Sequence, residues 1–219
     1  MVVVMLVAIL AALATPSFSE ARNDRVAFDY ARQYQQILAQ ARARAAGTGS
    51  AHLALLTGGS GGNGSIRLYA ALDGVTPTST PAGPGPNPVS SCKFNPLQWN
   101  AALSDTDYRI DRVLSNNTLR FIDYADINRG GINVDMGLRA QLRMNGGAVD
   151  AIAVCITPSG VTYVGSGGAA ADAIAAMRAS TPFTGTAEVR IQRHRGTTAV
   201  GLERIVQIAG GATPRLRAQ

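Results

Sequence analysis

The pattern of apolar and polar positions divides the chain into an apolar beginning and a mixed remainder. Residues 1–14 carry no charge, and the first charged side chains are Glu20 and Arg22. Apolar residues then recur at alternating steps of four and three, the spacing of one helical face. We predict a helix over residues 1–46, kinked at Pro16 because proline removes a backbone hydrogen bond. The predicted buried face consists of Ala27, Ala31, Tyr34, Leu38, Ala41 and Ala45.

Beyond this helix the pattern changes to short apolar runs between glycine, proline and asparagine turn signals, which predicts many short strands. Residues 51–56 with 66–72, and 187–193 with 199–208, read as two hairpins. The alanine-rich segment 169–179 reads as a short helix. The predicted fold class is therefore α+β: a long N-terminal α-helix, hydrophobic stem plus amphipathic half, packed on an antiparallel β-sheet head domain.

The predicted organisation has three parts. Residues 1–18 form a hydrophobic stem, residues 19–46 an amphipathic continuation, and residues 47–219 a β-rich head. Within the head, residues 73–91 contain five prolines and three glycines. We expect this insertion to be exposed and to contain no internal helix or strand.

The two cysteines, Cys92 and Cys155, are 63 positions apart. This spacing does not match the short pairs of metal knuckles. In an exported protein it favours one long-range disulfide, and the alternative is two buried free thiols.

Charge adds a preference for anionic partners without identifying one. The net charge is +6, and Lys93 is the single lysine among 20 basic residues. Arginine suits bidentate contacts to phosphate or carboxylate. Residues 187–219 hold six arginines against two glutamates, a local balance of +4.

Several strings resemble catalytic or cofactor motifs, but their context favours structural loops. Residues 59–64 match G-x-G-x-x-G, yet a strand-like run follows where a dinucleotide site needs a helix. Residues 165–170 match G-x-G-x-x-A before the predicted short helix. Residues 58–62 match G-x-S-x-G, but the two histidines, His52 and His194, do not fit a nucleophile elbow. We predict no enzyme activity and no cofactor.

Oxygen ligands for calcium are clustered in one segment, but their spacing differs from that of an EF-hand, and solvated turns are the simpler interpretation. These residues are Asp123, Asp126, Asn128, Asn133 and Asp135.

Four identities compete for residues 1–18. A cleaved signal peptide is compatible with cleavage after Ala14, but no basic segment precedes the apolar run. A membrane-spanning helix needs about 20 apolar residues, more than residues 1–14 supply. A buried core helix would need covering on every side.

The fourth identity rests on resemblance. MVVVMLVAILAALATPSF resembles the N-terminal helix of type IV pilins and type II secretion pseudopilins, and residues 11–18 match the end of that helix almost residue for residue. The family's basic leader, its glycine and its FTLIEL-like block are absent, so we expect them upstream of Met1. Residues 154–160 and 204–208 resemble short strings in the heads of GspH/FimT-type minor pilins and pseudopilins.

This resemblance implies a structural subunit of a filament machine for type II secretion or type IV pilus assembly. It implies a single-pass protein of the bacterial inner membrane with a periplasmic head. The implied partners are other pilin subunits, and a prepilin peptidase that removes the leader and methylates the new N-terminus. The implied membrane or filament-core residues are Met1, Val4, Leu6, Ile9, Leu10, Leu13, Pro16 and Phe18.

The C-terminal residues 214–217 resemble the Gly-Arg-x-Arg tail of FimT-like minor pilins that bind DNA. Arg215 and Arg217 match this tail, whereas Pro214 replaces the glycine. The resemblance implies DNA as an alternative partner of these two arginines, and a solvated basic tail is the simpler alternative. A secreted β-rich protein or enzyme with a cleaved signal peptide is the remaining hypothesis.

Overall fold

A computed structural model provides the fold. It describes the backbone of residues 2–58, 64–73, 87–93, 112–113, 119–126, 137–195, 197–211 and 213–219. Side chains are described for residues 24–58, 64–71, 88–93, 137–194, 197–211 and 213–219.

The described chain contains two helices and twelve strands. The helices are α1 (Val2–Thr48) and α2 (Ala170–Ala179). The strands in the first half are β1 (His52–Thr57), β2 (Ser65–Asp73), β3 (Asn87–Pro88), β4 (Arg112–Val113) and β5 (Leu119–Asp126). Those in the second half are β6 (Leu138–Met144), β7 (Gly147–Val149), β8 (Ala151–Ile156), β9 (Thr162–Gly167), β10 (Thr186–Arg195), β11 (Thr198–Ala209) and β12 (Arg215–Ala218).

These strands form two antiparallel sheets. The seven-stranded sheet has the order β4-β5-β2-β1-β8-β9, with β3 paired to β2. The five-stranded sheet has the order β12-β11-β10-β6-β7. The chain therefore leaves the first sheet after β5, builds two strands of the second, and returns for β8 and β9.

The main core lies where both sheets and α1 meet. Inward residues of β1, β2 and β8 face those of β6, β10 and β11, and α1 from residue 27 onward packs among them. All six positions of the helical face predicted from spacing are buried, and Ile37 joins them at 2% exposure. Four of the seven are alanines, which let a helix approach a sheet closely because they project only a methyl group.

The predicted fold class is wrong. The described chain is mainly antiparallel β-structure in two sheets, whereas we predicted a hydrophobic helical stem on one sheet-bearing head. The side chains of residues 1–23 lie outside the described set, so no stem packing is established there. The spacing of apolar residues identified which face of α1 is buried. It carries no information on strand pairing, so it could not show that the strands around the helix belong to two different sheets.

A second core covers the other face of the seven-stranded sheet. Ala173, Ile174 and Met177 of α2 pack there against Leu53 and Leu55 of β1. The predicted disulfide is confirmed within this core: Cys92 joins Cys155 of β8, with 5.8 Å between their Cα atoms. It anchors the segment after the predicted insertion to β8, which lies between β1 and the edge strand β9.

Local predictions for the head were more accurate than the fold class. Both hairpins form, as β1 with β2 and β10 with β11, and the short alanine-rich helix is α2. Within the predicted insertion, Asn87 and Pro88 form a two-residue strand beside β2, a correction to our expectation. Proline is compatible with this sheet-edge position because it needs no partner for an N–H group. Residues 74–86 of the insertion lie outside the described set.

Gly165 allows α2 to lie directly on β9. A Cβ atom at this position would fall against the backbone of Met177 and Ala173. We expect Gly165→Ala to lower the free energy of unfolding by about 3 kcal/mol, the upper end of the usual cost of overpacking, because the obstacle is helix backbone. Urea unfolding measures this change. Gly168→Ala is the matched control, since a Cβ there has no neighbour within 4 Å. Equal losses in both variants would contradict this account.

The disulfide closes a long loop, since 63 positions separate its cysteines. In the loop-entropy model a loop of this length contributes about 4 kcal/mol to stability. We expect a reducing agent to lower the urea midpoint of the wild-type protein. The double variant Cys92→Ala/Cys155→Ala should start lower and show no response to the reducing agent. If the urea midpoint of the wild-type protein stays unchanged after complete reduction, the expected contribution of the disulfide is refuted.

Candidate functional site

The outward side of the five-stranded sheet carries a set of arginines, which we call the arginine face. In β10 the buried residues are Ala187, Val189 and Ile191. Because side chains alternate along a strand, Glu188 and Arg190 point away from the core. Applying the same alternation to the neighbouring strands gives the members of the arginine face: Arg139 and Arg143 of β6, Arg190 of β10, and Arg215 and Arg217 of β12.

Strand register aligns these side chains in rows across the sheet. Arg190 lies opposite Gln141 on one side and Ile205 on the other, and Ile205 lies opposite Arg217. This row crosses four strands, or about 14 Å at ~4.8 Å per strand. The next row consists of Arg143, Glu188, Gln207 and Arg215. The face is therefore a patch several side chains wide and not a single charged strand.

A single arginine of this face, Arg190, forms ion pairs with both Glu188 and Glu203. The Nε and Nη2 groups of Arg190 donate to Glu188 Oε2 at 3.0 and 2.8 Å. Its Nη1 group donates to Glu203 Oε2 at 3.1 Å. Among the described residues, five arginines and these two glutamates give the face a formal balance of +3. The two carboxylates are directed to the centre of the patch, so the excess positive charge lies toward its sides.

Arg215 and Arg217 occupy the open edge of this sheet. Both are exposed, while Leu216 between them packs against the main core. Strand alternation thus places the two guanidinium groups on the same side, about 7 Å apart along β12. In the described part of the chain, neither arginine has an ion-pair partner. From the sequence we considered a solvated basic tail. In the structure these residues form strand β12, which fixes the direction of both side chains.

Sequence analysis identified two of the five members of the arginine face. The other three, Arg139, Arg143 and Arg190, carried a readable signal, because apolar and polar residues alternate from 138 to 143 and from 187 to 192. That alternation predicts that each strand has a polar side. It does not reveal that β6, β10 and β12 lie in the same sheet with their polar sides together.

The glycine motif at residues 165–170 has a structural role. Gly165 and Gly167 both lie where an added Cβ would meet α2. The first turn of α2 carries an acidic residue, Asp172, which is unfavourable to a bound phosphate. The motif therefore belongs to the packing of α2. The other two glycine matches, at residues 59–64 and 58–62, lie mostly in the segment 59–63 outside the described set.

His52 is a buried histidine near the end of α1. Its Nδ1 atom lies 3.0 Å from the carbonyl oxygen of Ser50. Burial lowers the pKa of His52, and the nearby positive charge of Arg44 lowers it further, against the opposing effect of the Ser50 bond. The neutral ring is thus favoured in the folded protein. His52 is 1% exposed, and its Nε2 atom is buried without a hydrogen-bond partner among the described residues.

The remaining predicted site residues are not positioned by the structure. The side chains of the filament-core set lie outside the described residues, and so do those of the five candidate calcium ligands. Among the side chains that are described, no group of three histidines, cysteines or acidic residues could hold a metal ion. Within that same part of the chain, no helix is both long and apolar enough to cross a membrane.

Comparisons with protein-family models, with curated proteins and with solved structures found no match to this chain.

Proposed function

We propose that this protein is a structural subunit of a type IV filament machine, a minor pilin or pseudopilin for protein secretion or pilus assembly. The observation that carries the proposal is the place of α1. One face of this helix, from Ala27 to Ala45, is buried between the two sheets, and the same helix includes the apolar residues that precede it. In the proposed filament, α1 would link the N-terminal residues directly to the core of the head.

The apolar N-terminal residues supply the assembly element in this proposal. The eight residues from Met1 to Phe18 named above would pack against the corresponding helices of neighbouring subunits, after residence in the inner membrane. A prepilin peptidase would process and methylate the N-terminus. The Cys92–Cys155 disulfide supports an exported head, because disulfides persist mainly in oxidising compartments such as the periplasm.

Substitution within the apolar run tests the proposed role of the N-terminal residues. We expect Ile9→Asp to move the protein from the membrane fraction of the producing bacterium to the soluble fraction. A central aspartate costs about 3 kcal/mol on insertion scales, which is enough to shift partition strongly. Gln36→Asp is the matched control, because it places the same side chain at an exposed position of α1.

Unchanged fractionation of Ile9→Asp would contradict the membrane step of this proposal. Mass spectrometry of the mature N-terminus distinguishes the remaining hypothesis. Cleavage after Ala14 would identify a secreted protein with a removed signal peptide, and it would overturn the filament proposal.

A second candidate function is DNA binding by a minor pilin, and the arginine face favours it. Arg215 and Arg217 project to the same side of an exposed edge, on the sheet face that also carries Arg139, Arg143 and the ion-paired Arg190. Arginines arranged in this way would contact phosphates without reading the base sequence. The candidate requires the face to remain accessible in the assembled filament.

Removal of the two edge arginines tests DNA binding. We expect Arg215→Ala/Arg217→Ala to weaken binding to duplex DNA at least tenfold and to reduce the salt dependence of binding by about two counterions. Fluorescence anisotropy over a salt series measures both quantities. The control is Arg25→Ala/Arg32→Ala, which removes the same charge from exposed positions of α1. Equal losses in both double variants would indicate a net-charge effect and refute a site at the arginine face.

A further inference from the structure

A cleft of about 520 Å³ lies where the loops of the two sheets converge. One wall is the turn between β8 and β9, with Ser159 and Val161. The opposite wall is formed by Pro182 and Phe183, and Gly211 of the β11–β12 loop completes the rim. The cleft is wide and open to solvent, so a ligand there would be only partly enclosed.

Arg42 of α1 supplies the charge of this cleft. Its Nη1 group donates to the carbonyl oxygen of Gly211 at 2.8 Å, and its Nη2 group to that of Gly160 at 3.4 Å. These bonds hold the guanidinium between the two loops. Two of its five N–H donors are occupied by them, which leaves three. Both partners are neutral carbonyls, so the described chain does not neutralise this positive charge.

The loop on one side of Arg42 is held in place by a second residue of α1. The side-chain amide of Gln35 donates to the carbonyl oxygen of Pro214 at 3.1 Å. Gln35 and Arg42 lie two turns apart on the same helix, and together they fix both ends of the β11–β12 loop. The position of the guanidinium is therefore set by the fold before any ligand arrives.

We propose that this cleft binds a free carboxylate attached to a small apolar group. Arg42 would bind the carboxylate, for which the flat guanidinium has matching geometry. The apolar group would lie against Val161, Pro182 and Phe183. One arginine matches a monoanion, whereas phosphate groups are usually held by several cations or by a helix N-terminus.

This chemistry has two natural sources. One is the C-terminal residue of a polypeptide chain, and the other is a free acid such as an N-acylated amino acid. The site is independent of the proposed filament role, since it uses no residue of the N-terminal run or of the arginine face. Failure of one proposal therefore leaves the other intact.

Ligand-observed NMR titration of the full chain tests the site. The probes are N-acetyl-leucine, its uncharged amide, and a tetrapeptide that ends in leucine with a free carboxylate. We expect the acid to bind in the millimolar range and the amide at least tenfold more weakly. The tetrapeptide binds at least as tightly as the acid if polypeptide C-termini are the ligand, and more weakly if free acids are.

Arg42→Gln removes the charge but keeps donors for the two carbonyls. We expect this variant to bind the acid at least tenfold more weakly, and Arg42→Lys to retain part of the affinity. Arg32→Gln, at an exposed position of the same helix, is the matched control and should bind as the wild type does. If Arg42→Gln fails to fold, the comparison of acid with amide on the wild-type protein still decides the question. Equal binding of acid and amide, or no binding of the acid, overturns the proposal.

Discussion

The close approach of α1 to two sheets at once is the constraint on which the rest of the structure depends. Its buried face contains four alanines, with Tyr34, Ile37 and Leu38 in the middle. Larger side chains at Ala31 or Ala41 would separate the sheets, because well-packed cores resist added volume. Tight packing in turn fixes the helix in rotation and along its axis. The polar residues on its flanks, including Gln35 and Arg42, therefore reach defined loops of the head.

This arrangement also determines which sheet surfaces are left open. Each sheet has one face toward α1, and the seven-stranded sheet has its other face covered by α2 and the disulfide segment. The outward face of the five-stranded sheet has no equivalent layer among the described elements, and it is the face that carries arginine. Ile205 is nevertheless 7% exposed there, with Arg190 and Arg217 opposite it on the two neighbouring strands. Arginine stems can shield such an apolar residue while their charged ends stay in water.

Sequence patterns were informative wherever the local structure is determined by residues that are close in sequence. The four-and-three spacing identified the buried face of α1, and turn signals identified both hairpins. Sheet membership was not predictable in this way, because β1 pairs with β8 and Leu53 lies opposite Cys155, about a hundred positions later. Two strands with the same alternation can belong to either sheet. The fold class failed for that reason, and the arginine face was recognised only in part, at Arg215 and Arg217.

The arginines of this protein differ in what surrounds them, and this governs what each can bind. Arg190 is neutralised by two glutamates, Glu188 on its own strand and Glu203 on the neighbouring strand β11. Arg215 and Arg217 lie in open solvent, where salt screens their attraction for anions over about 10 Å at 0.1 M. Arg42 is held by carbonyls at the edge of a cleft, where geometry and an apolar wall add to charge. A polyanion suits the open edge and a small carboxylate suits the cleft, although the residue type is the same.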